Sequence, residues 1–215
     1  VPTIVVLVGG RPLSVNWIAQ NVQALVQAWE PGSLGGRALA NILAGKVNPS
    51  AKLPISIPRH SGQIQMIYNH KPSQYFHKYI DGPSTPLYPF GFGLSYTRFA
   101  YSSLKLSHTR ISDKDSFTAS IELTNVGDRE GTEVVQLYIR DIYSSATRPV
   151  KELKDFARVT LKPGEKKTVT FTVTPDKLAY WNRNMQYGVE KGEFEIMIGL
   201  SSQDKDLKKV KMEVL

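Results

Sequence analysis

Carboxylate side chains can act as general acids, bases and nucleophiles, and this sequence distributes them unevenly. Residues 1–100 contain two, Glu30 and Asp81, whereas residues 101–215 contain 17. Glu30 follows an apolar segment, the position at which α/β proteins gather ligand-binding groups. Asp81 stands beside a glycine and a proline, which is typical of a turn. Glu30 is therefore the first candidate for acid/base chemistry in the first hundred residues.

Histidine and cysteine give no pattern of a metal centre. The sequence has no cysteine, and no two of its histidines stand four residues apart as a helical zinc site requires. The histidines are His60, His70, His77 and His108. We therefore predict no metal, no cofactor and no disulfide bond.

The net charge of +8 raises the question of a nucleic-acid ligand. The basic residues form no helical stripe and no pattern interleaved with aromatics, so we predict no nucleic-acid binding. No apolar run approaches the roughly 18 to 20 residues of a membrane-spanning helix, so no membrane association is predicted. The sequence begins at Val1 without a signal-peptide pattern, and we expect any export signal to precede it.

The first 60 residues alternate strand and helix patterns. The β-branched run 3–8 predicts a strand of a parallel sheet, and a second strand is predicted at 24–29. A helix is predicted to follow, with Ser33 as its N-cap and Gly45 as its C-terminal glycine. Two strands and their helices cannot cover both faces of a parallel sheet. We expect residues 1–60 to be the α/β remnant of a larger layered domain, and the chain to be a fragment.

The rest of the chain changes character twice. Residues 61–98 are rich in proline and aromatics without a sustained period, which predicts an interdomain linker loop. A short strand is predicted just before it, at 53–57. Residues 99–215 show alternating runs about every 8 to 12 residues with turn signals between them, which predicts an all-β immunoglobulin-like or fibronectin type III-like sandwich. The predicted strands cover residues 99–107, 116–125, 132–140, 151–159, 166–173, 193–200 and 207–214.

Three stretches resemble glycoside hydrolase family 3. The first joins WEPGSLGG at 29–36 to NPSAKLP at 48–54, and the second, LYPFGFGLSYT at 87–97, is the most specific. The third combines the motifs TNVG, EVVQLY and RPVKELK between residues 124 and 154, and it resembles the fibronectin-like domain at the C-terminus of many of these enzymes. Residues 61–72 look most like the periplasmic bacterial β-glucosidase branch.

The resemblance implies a retaining, exo-acting β-glucosidase that removes terminal β-linked glucose, periplasmic or secreted. Such an enzyme has a (β/α)8 barrel, an α/β sandwich domain and the β-sandwich. Its aspartate nucleophile and its glutamate acid/base lie about 5 to 5.5 Å apart, and the family pattern places both ahead of Val1. The family does not keep an acid at the position of Glu30, which we expect in a solvated loop or a local ion pair. We therefore expect no catalytic residue in this chain, no activity of the chain alone, and the upstream barrel and α/β portion as its partners.

Five residues are candidates for the rim of the cleft that would bind an oligosaccharide or glucoside. Arg11 ends the first strand and could contact a sugar hydroxyl or a carboxylate, although packing against the upstream portion is the alternative. The others belong to the irregular aromatic loop, where rings and polar groups are typical of sugar sites: His60, Tyr75, His77 and Tyr79. Their alternative is to staple the sandwich to the α/β domain. For the aromatic and glycine alternation at 88–93, we predict an interdomain seam.

Two other functions remain open at this point. A β-xylosidase or another exo-glycosidase fragment would share these motifs, because the residues that grip the terminal sugar lie mostly in the barrel. A stand-alone carbohydrate-binding or scaffolding module is the other possibility, which fold alone does not exclude. Such a module would show a row of exposed aromatics, and no predicted strand carries alternate Trp or Tyr.

Overall fold

The computed structural model describes residues 1–72, 80 and 82–215. Its first part is a two-stranded sheet with two helices. In chain order the elements are β1 (Ile4–Val8), α1 (Asn16–Asn21), β2 (Ala24–Trp29) and α2 (Gly35–Leu43). The two strands pair in parallel from Ile4 opposite Ala24 onward, which confirms the predicted parallel sheet. The six-residue helix α1 is too short for its period to have been visible in the sequence.

Helix α2 begins two residues after its predicted cap. Leu34 occupies the N-cap position without a side-chain hydrogen bond, so the prediction of Ser33 as N-cap is wrong. The turn ahead of the helix fixes this start, because a Cβ on Gly35 would lie 2.5 Å from the Cβ of Pro31. The end of the helix is as predicted: Gly45 has a φ of +71° and donates its N–H to the carbonyl of Ile42.

The α/β part has no apolar core of its own. Gly35 is the one residue among 1–55, all of them described, that is fully buried. Ile4, Val8 and Trp17 are 51%, 63% and 72% exposed. An apolar parallel strand normally lies between two covering layers, and the described residues do not provide both of them. The expectation that residues 1–60 belong to a larger α/β layer rests on this exposure.

The second part is a β-sandwich of two mainly antiparallel sheets. One sheet has the order β5-β13-β12-β7-β8, and in the other β3 and β4 pair one edge of β6 while β9 pairs the opposite edge. A small hairpin, β10–β11, stands apart from both sheets. The elements are β3 (Phe99–Tyr101), β4 (Lys105–Leu106), β5 (Arg110–Ile111), β6 (Phe117–Asn125), β7 (Gly131–Asp141), β8 (Glu152–Leu161), β9 (Lys166–Val173), α3 (Pro175–Leu178), β10 (Tyr180–Trp181), β11 (Tyr187–Gly188), β12 (Gly192–Gly199) and β13 (Leu207–Val214).

The sandwich buries alternate side chains of both sheets between them. Strand β6 shows this directly, because every second residue from Phe117 to Asn125 is buried. Strand β7 departs from the alternation, since its residues 135–139 are all buried. The reason is a second cluster on the outer face of the five-stranded sheet. There Tyr138, Met197 and Leu207 are covered by aromatic side chains that precede residue 99.

Most predicted strands of the sandwich are confirmed, and β9 and β13 match residues 166–173 and 207–214 to the residue. The predicted strand at 53–57 is wrong, because this segment forms a single antiparallel bridge between Ile57 and Tyr88. Pro54 inside the segment and Pro58 after it lack the N–H groups that a longer ladder needs. No helix among the described residues is long and apolar enough to cross a membrane.

Candidate functional site

The carboxyl ends of β1 and β2 place Arg11 and Glu30 at the same edge of the small sheet. The backbone there is unusual, because Trp29 has a φ of +53° and accepts a hydrogen bond from the Gly9 N–H at 2.9 Å. A non-glycine residue in this conformation stores about 1 to 3 kcal/mol of strain. The carboxylate of Glu30 lies over Gly10, where a Cβ would stand 2.8 Å from its Oε1. Arg11 and Glu30 are both exposed.

One carboxylate cannot perform the chemistry expected of the parent enzyme. A retaining glycosidase needs two carboxyl groups facing each other across the scissile bond. Asp81, the other acid of the first hundred residues, lies outside the described residues. The edge that carries Arg11 and Glu30 therefore holds no acid/base pair among the described side chains.

His60 lies in a tight turn that its own hydrogen bonds stabilise. Its Nδ1 accepts from the Gly62 N–H at 3.2 Å, and its carbonyl accepts from the Gln63 N–H at 3.1 Å. The Gln63 amide in turn accepts from the Arg59 N–H at 2.7 Å and donates to the Pro83 carbonyl at 3.1 Å. These contacts connect residues 59–63 to Pro83.

The structure describes two of the five candidate rim residues. The structure places Arg11 after β1 and His60 in the turn that follows the bridge residue Ile57. The other three, Tyr75, His77 and Tyr79, lie outside the described residues. A role of these five in a substrate cleft stays a prediction. Among the described residues, no group of three His, Cys, Asp or Glu side chains could hold a metal ion.

The aromatic loop packs on the outer face of the five-stranded sheet through Tyr68. The Tyr68 ring stacks on Phe90 with centroids 4.2 Å apart and meets Tyr138 edge-on at 5.8 Å. Its hydroxyl accepts the Leu153 N–H at 3.1 Å, and the His70 carbonyl accepts the Val150 N–H at 2.9 Å. Such contacts join residues before 73 directly to strand β8.

A buried amide locks the most specific motif onto the same sheet. The Nε2 of Gln136 donates to the carbonyls of Gly91 at 3.1 Å and Leu200 at 2.7 Å, and its Oε1 accepts the Tyr138 hydroxyl at 2.5 Å. Burial raises the pKa of the Tyr138 phenol, so the hydroxyl stays protonated and donates. Gly91 has a φ of +78°, and a side chain there would collide with the Gln136 amide. These contacts hold residues 88–93, the predicted seam, against the five-stranded sheet.

The motif NPSAKLP attaches the α/β part to the sandwich by polar contacts. The Lys52 ammonium lies 2.8 Å from Glu133 and donates to the Gly93 carbonyl at 3.1 Å, with both charged side chains at least 88% buried. Asn48 Oδ1 accepts from the Ser95 hydroxyl at 2.9 Å and from the Tyr96 N–H at 2.8 Å. A buried ion pair with satisfied hydrogen bonds fixes geometry more than it adds stability.

Arg148 forms the centre of a second polar cluster inside the sandwich. Its guanidinium donates to Asp141 at 3.2 Å, to Glu152 at 2.8 Å and to the Leu178 carbonyl at 2.9 Å, and it lies 4.7 Å from the centroid of the Tyr180 ring. Burial raises the pKa of the Asp141 carboxyl, and the neighbouring Arg148 opposes that shift. Both acids are therefore paired with the same guanidinium.

Sequence reasoning named the motifs but missed these roles. Lys52, Gln136 and Arg148 each lie inside one of the stretches NPSAKLP, EVVQLY and RPVKELK. The sequence did contain one signal of their burial: each is a charged or amide residue inside an otherwise apolar strand or a proline-containing turn. Such a residue is buried only when it is paired.

Comparison with known proteins matches both parts of the fold. Residues 1–96 match the model of the glycosyl hydrolase family 3 C-terminal domain, and residues 133–202 match that of the fibronectin type III-like domain. The chain is 45% identical over 211 residues to the periplasmic beta-glucosidase of Salmonella typhimurium, covering 94% of this chain and 28% of the relative. It is 46% identical over 216 residues to a beta-xylosidase of Formosa agariphila, covering 99% of this chain and 30% of the relative.

Solved structures agree over nearly the full length. A beta-glucosidase from Listeria innocua in complex with glucose superposes with a TM-score of 0.93 at 37% identity, over 99% of this chain and 31% of that one. A beta-glucosidase from Erythrobacter marinus gives a TM-score of 0.94 at 43% identity, over 99% of this chain and 28% of that one. This chain therefore spans about 28 to 31% of the length of these relatives.

An α/β part with an exposed apolar face, joined to a fibronectin type III-like sandwich through the motif-bearing seam, defines the class: the C-terminal region of a larger multidomain protein. The chain belongs to glycoside hydrolase family 3 and corresponds to the C-terminal region of its members. This confirms the resemblance seen in the three sequence stretches and the all-β sandwich predicted for the second part.

Proposed function

We propose that the parent protein is a retaining, exo-acting β-glucosidase and that this chain is its structural C-terminal portion. The observation that carries the proposal is the superposition of 99% of the chain, at a TM-score of 0.93, on a beta-glucosidase crystallised with glucose. The nucleophile and acid/base would come from the upstream portion, since the described residues of the first hundred include one carboxylate, Glu30.

The apolar surface of the α/β part supports an upstream partner within the same polypeptide. Ile4, Val8 and Trp17 project from the small sheet and its first helix with more than half of their surface in contact with solvent. An exposed apolar face of this kind marks a contact surface. A parallel sheet extended by upstream strands, with a (β/α)8 barrel beyond it, would cover this face. The domain limits 1–60, 61–98 and 99–215 belong to the same proposal.

The five rim residues would shape the entrance of the cleft rather than perform chemistry. Arg11 is the most direct to test, because it is exposed at the carboxyl edge of the small sheet. In the intact polypeptide, Arg11→Ala is expected to raise KM for a disaccharide severalfold while kcat stays within twofold. Unchanged KM would remove Arg11 from the rim, leaving His60, Tyr75, His77 and Tyr79 to be tested in the same way.

A second candidate function is a β-xylosidase. It is favoured by the 46% identity to the Formosa agariphila beta-xylosidase, which is close to the 45% identity to the Salmonella typhimurium protein. The test is the intact polypeptide encoded by the gene that contains this chain, assayed on p-nitrophenyl β-glucopyranoside and β-xylopyranoside. We expect the glucoside to have the higher kcat/KM and the first product to retain the β anomer. A higher kcat/KM for the xyloside would overturn the glucosidase assignment, and the 215-residue chain alone should hydrolyse neither.

A periplasmic or secreted location is part of the proposal. Its support is the Salmonella typhimurium relative, a periplasmic beta-glucosidase. Cell fractionation of the source organism with antibodies against the sandwich tests it. Recovery of the protein with cytosolic markers would contradict it.

A further inference from the structure

An exposed pair of aromatic rings stands on the hairpin β10–β11. Trp181 and Tyr187 lie directly opposite each other on the two strands, so both side chains project from the same face. Their ring centroids are 5.4 Å apart with an interplanar angle of 51°. The residues are 60% and 53% exposed, and neither belongs to the two apolar clusters formed by described residues. The apolar clusters of the sandwich therefore do not account for these rings, and the Tyr187 hydroxyl donates to the Asp176 carbonyl at 3.4 Å.

The hairpin that carries the rings is held firmly in place. The side-chain oxygen of Asn182 accepts the N–H groups of Asn184 at 2.9 Å and Gln186 at 3.0 Å, which fixes the turn. On the opposite face, the Tyr180 hydroxyl contacts the Ser145 hydroxyl at 3.0 Å, and the Arg148 guanidinium covers the Tyr180 ring. The exposed pair is thus preorganised, and binding to it would cost little conformational entropy.

The size of the pair favours a small ligand over a protein partner. A buried aromatic side chain covers about 150 to 250 Å², so the exposed halves of Trp181 and Tyr187 offer roughly 200 Å² together. A stable protein interface needs about 800 Å² on each partner. A second copy of this chain would therefore find too little area on these two rings to form a stable dimer.

The surroundings of the pair favour a neutral, hydroxyl-rich ligand. The turn between the two rings contributes exposed Arg183, Asn184 and Gln186, which offer hydrogen-bond donors and amide acceptors but no carboxylate. Aromatic faces combined with planar polar groups suit a pyranose ring, whose C–H face is apolar and whose rim carries hydroxyls. We propose that Trp181 and Tyr187 form an auxiliary platform on which neutral β-glucan oligosaccharides stack.

The platform goes beyond the proposed function, because it lies on the sandwich and takes no part in hydrolysis. The sequence suggests Trp181 and Tyr180 as an exposed sugar platform, with packing of a loop aromatic on the sandwich as the favoured alternative. The structure instead places Trp181 opposite Tyr187, six residues further along the chain. Neither strand of the hairpin is longer than two residues, so no alternation was visible.

Native affinity electrophoresis of the intact polypeptide tests the platform. The gels contain laminarin, a neutral β-glucan, or carboxymethylcellulose, an anionic one. We expect retardation by laminarin, with an apparent Kd that rises about three- to tenfold in Trp181→Ala and in Tyr187→Ala, as the loss of one stacking contact predicts. Tyr187→Phe keeps the ring and should bind like wild type. Phe156→Ala is the matched control, because Phe156 is also 60% exposed on the sandwich.

Each alternative occupant gives a different result in this experiment. Equal retardation of wild type and Trp181→Ala by laminarin would overturn the proposal, as would retardation by carboxymethylcellulose alone, which indicates charge. If the molecular mass of the protein in solution depends on Trp181 and on protein concentration, the two rings bind a second copy of the chain. That result would also overturn the proposal. Glucose is added to saturate the catalytic cleft. Hydrolysis of aryl β-glucosides by the wild type is measured separately, so that failure of the proposed function is distinguishable from failure of the platform.

Discussion

Replacing Gly91 with alanine tests how the seam is packed. Gly91 has a φ of +78°, and a Cβ there would collide with the amide of Gln136, a residue that is 3% exposed. Left-handed backbone costs a non-glycine residue about 1 to 2 kcal/mol. Displacing the buried amide adds about 1 to 3 kcal/mol for overpacking and about 1 kcal/mol for a lost hydrogen bond. We expect Gly91→Ala to lower the free energy of unfolding by about 3 to 6 kcal/mol.

Gly164 provides the matched control. Its φ is +74°, and a Cβ on it would have no neighbour within 4 Å, so Gly164→Ala should cost only the backbone strain of about 1 to 2 kcal/mol. Urea unfolding of both variants, followed by tryptophan fluorescence and far-UV circular dichroism, gives the comparison. Adding Gln136→Ala to Gly91→Ala removes the collision, so the double variant should lose less stability than the sum of the single losses. Equal losses for Gly91→Ala and Gly164→Ala would refute the collision.

Three further expectations concern other parts of the sandwich and its cover. Arg148→Met leaves the Asp141 carboxylate buried without its partner and should lower the free energy of unfolding by about 3 to 5 kcal/mol in urea titrations, whereas a loss below 1 kcal/mol would contradict the pairing. Tyr68→Ala should cost about 2 to 4 kcal/mol and Tyr68→Phe only about 1 kcal/mol, because phenylalanine keeps the ring stacking; similar losses for both would show that the hydrogen bond dominates. Burial opposes ionisation of Asp204, but hydrogen bonds from Lys151 and Lys209 outweigh it and lower the pKa of Asp204 to about 2. The stability difference between wild type and Asp204→Asn should therefore be constant above pH 5, decrease as the pH falls, and vanish below pH 2. That difference is small, because the Asp204 side chain is 71% exposed, and its growth on acidification would contradict the assignment.

The sandwich could be predicted because its signals are local. Strand β9 alternates exposed and buried side chains between a Lys-Pro-Gly-Glu turn and Pro175, and both of its ends were therefore found from sequence. The α/β part was predicted for the same reason, since the short β-branched run from Ile4 to Val8, ended by two glycines, favours a strand. The family motifs extended these local signals to the order of domains.

The remaining features depend on contacts between distant residues. Ser33 has the right chemistry for a cap, but the packing of Pro31 against Gly35 moves the start of the helix. Residues 53–57 have the composition of a strand, yet they form one antiparallel bridge, between Ile57 and Tyr88, and two backbone hydrogen bonds that join Leu53 to Gly91 and Phe92. The burial of Gln136 and the pairing of Lys52 with Glu133 join positions 45 and 81 residues apart, which no local pattern encodes.

The aromatic cover on the outer face of the five-stranded sheet has a practical consequence for dissecting this protein. Tyr138 and Met197 face away from the sandwich core and are kept from water by Tyr68 and Phe90. A recombinant sandwich that begins at residue 99 would lack both rings. It would expose Tyr138 and Met197 to solvent as an apolar surface prone to association. An autonomous folding unit should instead begin before Leu53, whose backbone already pairs with Gly91 and Phe92. The unit that folds with the sandwich should therefore begin well before residue 99, where the sequence pattern becomes all-β.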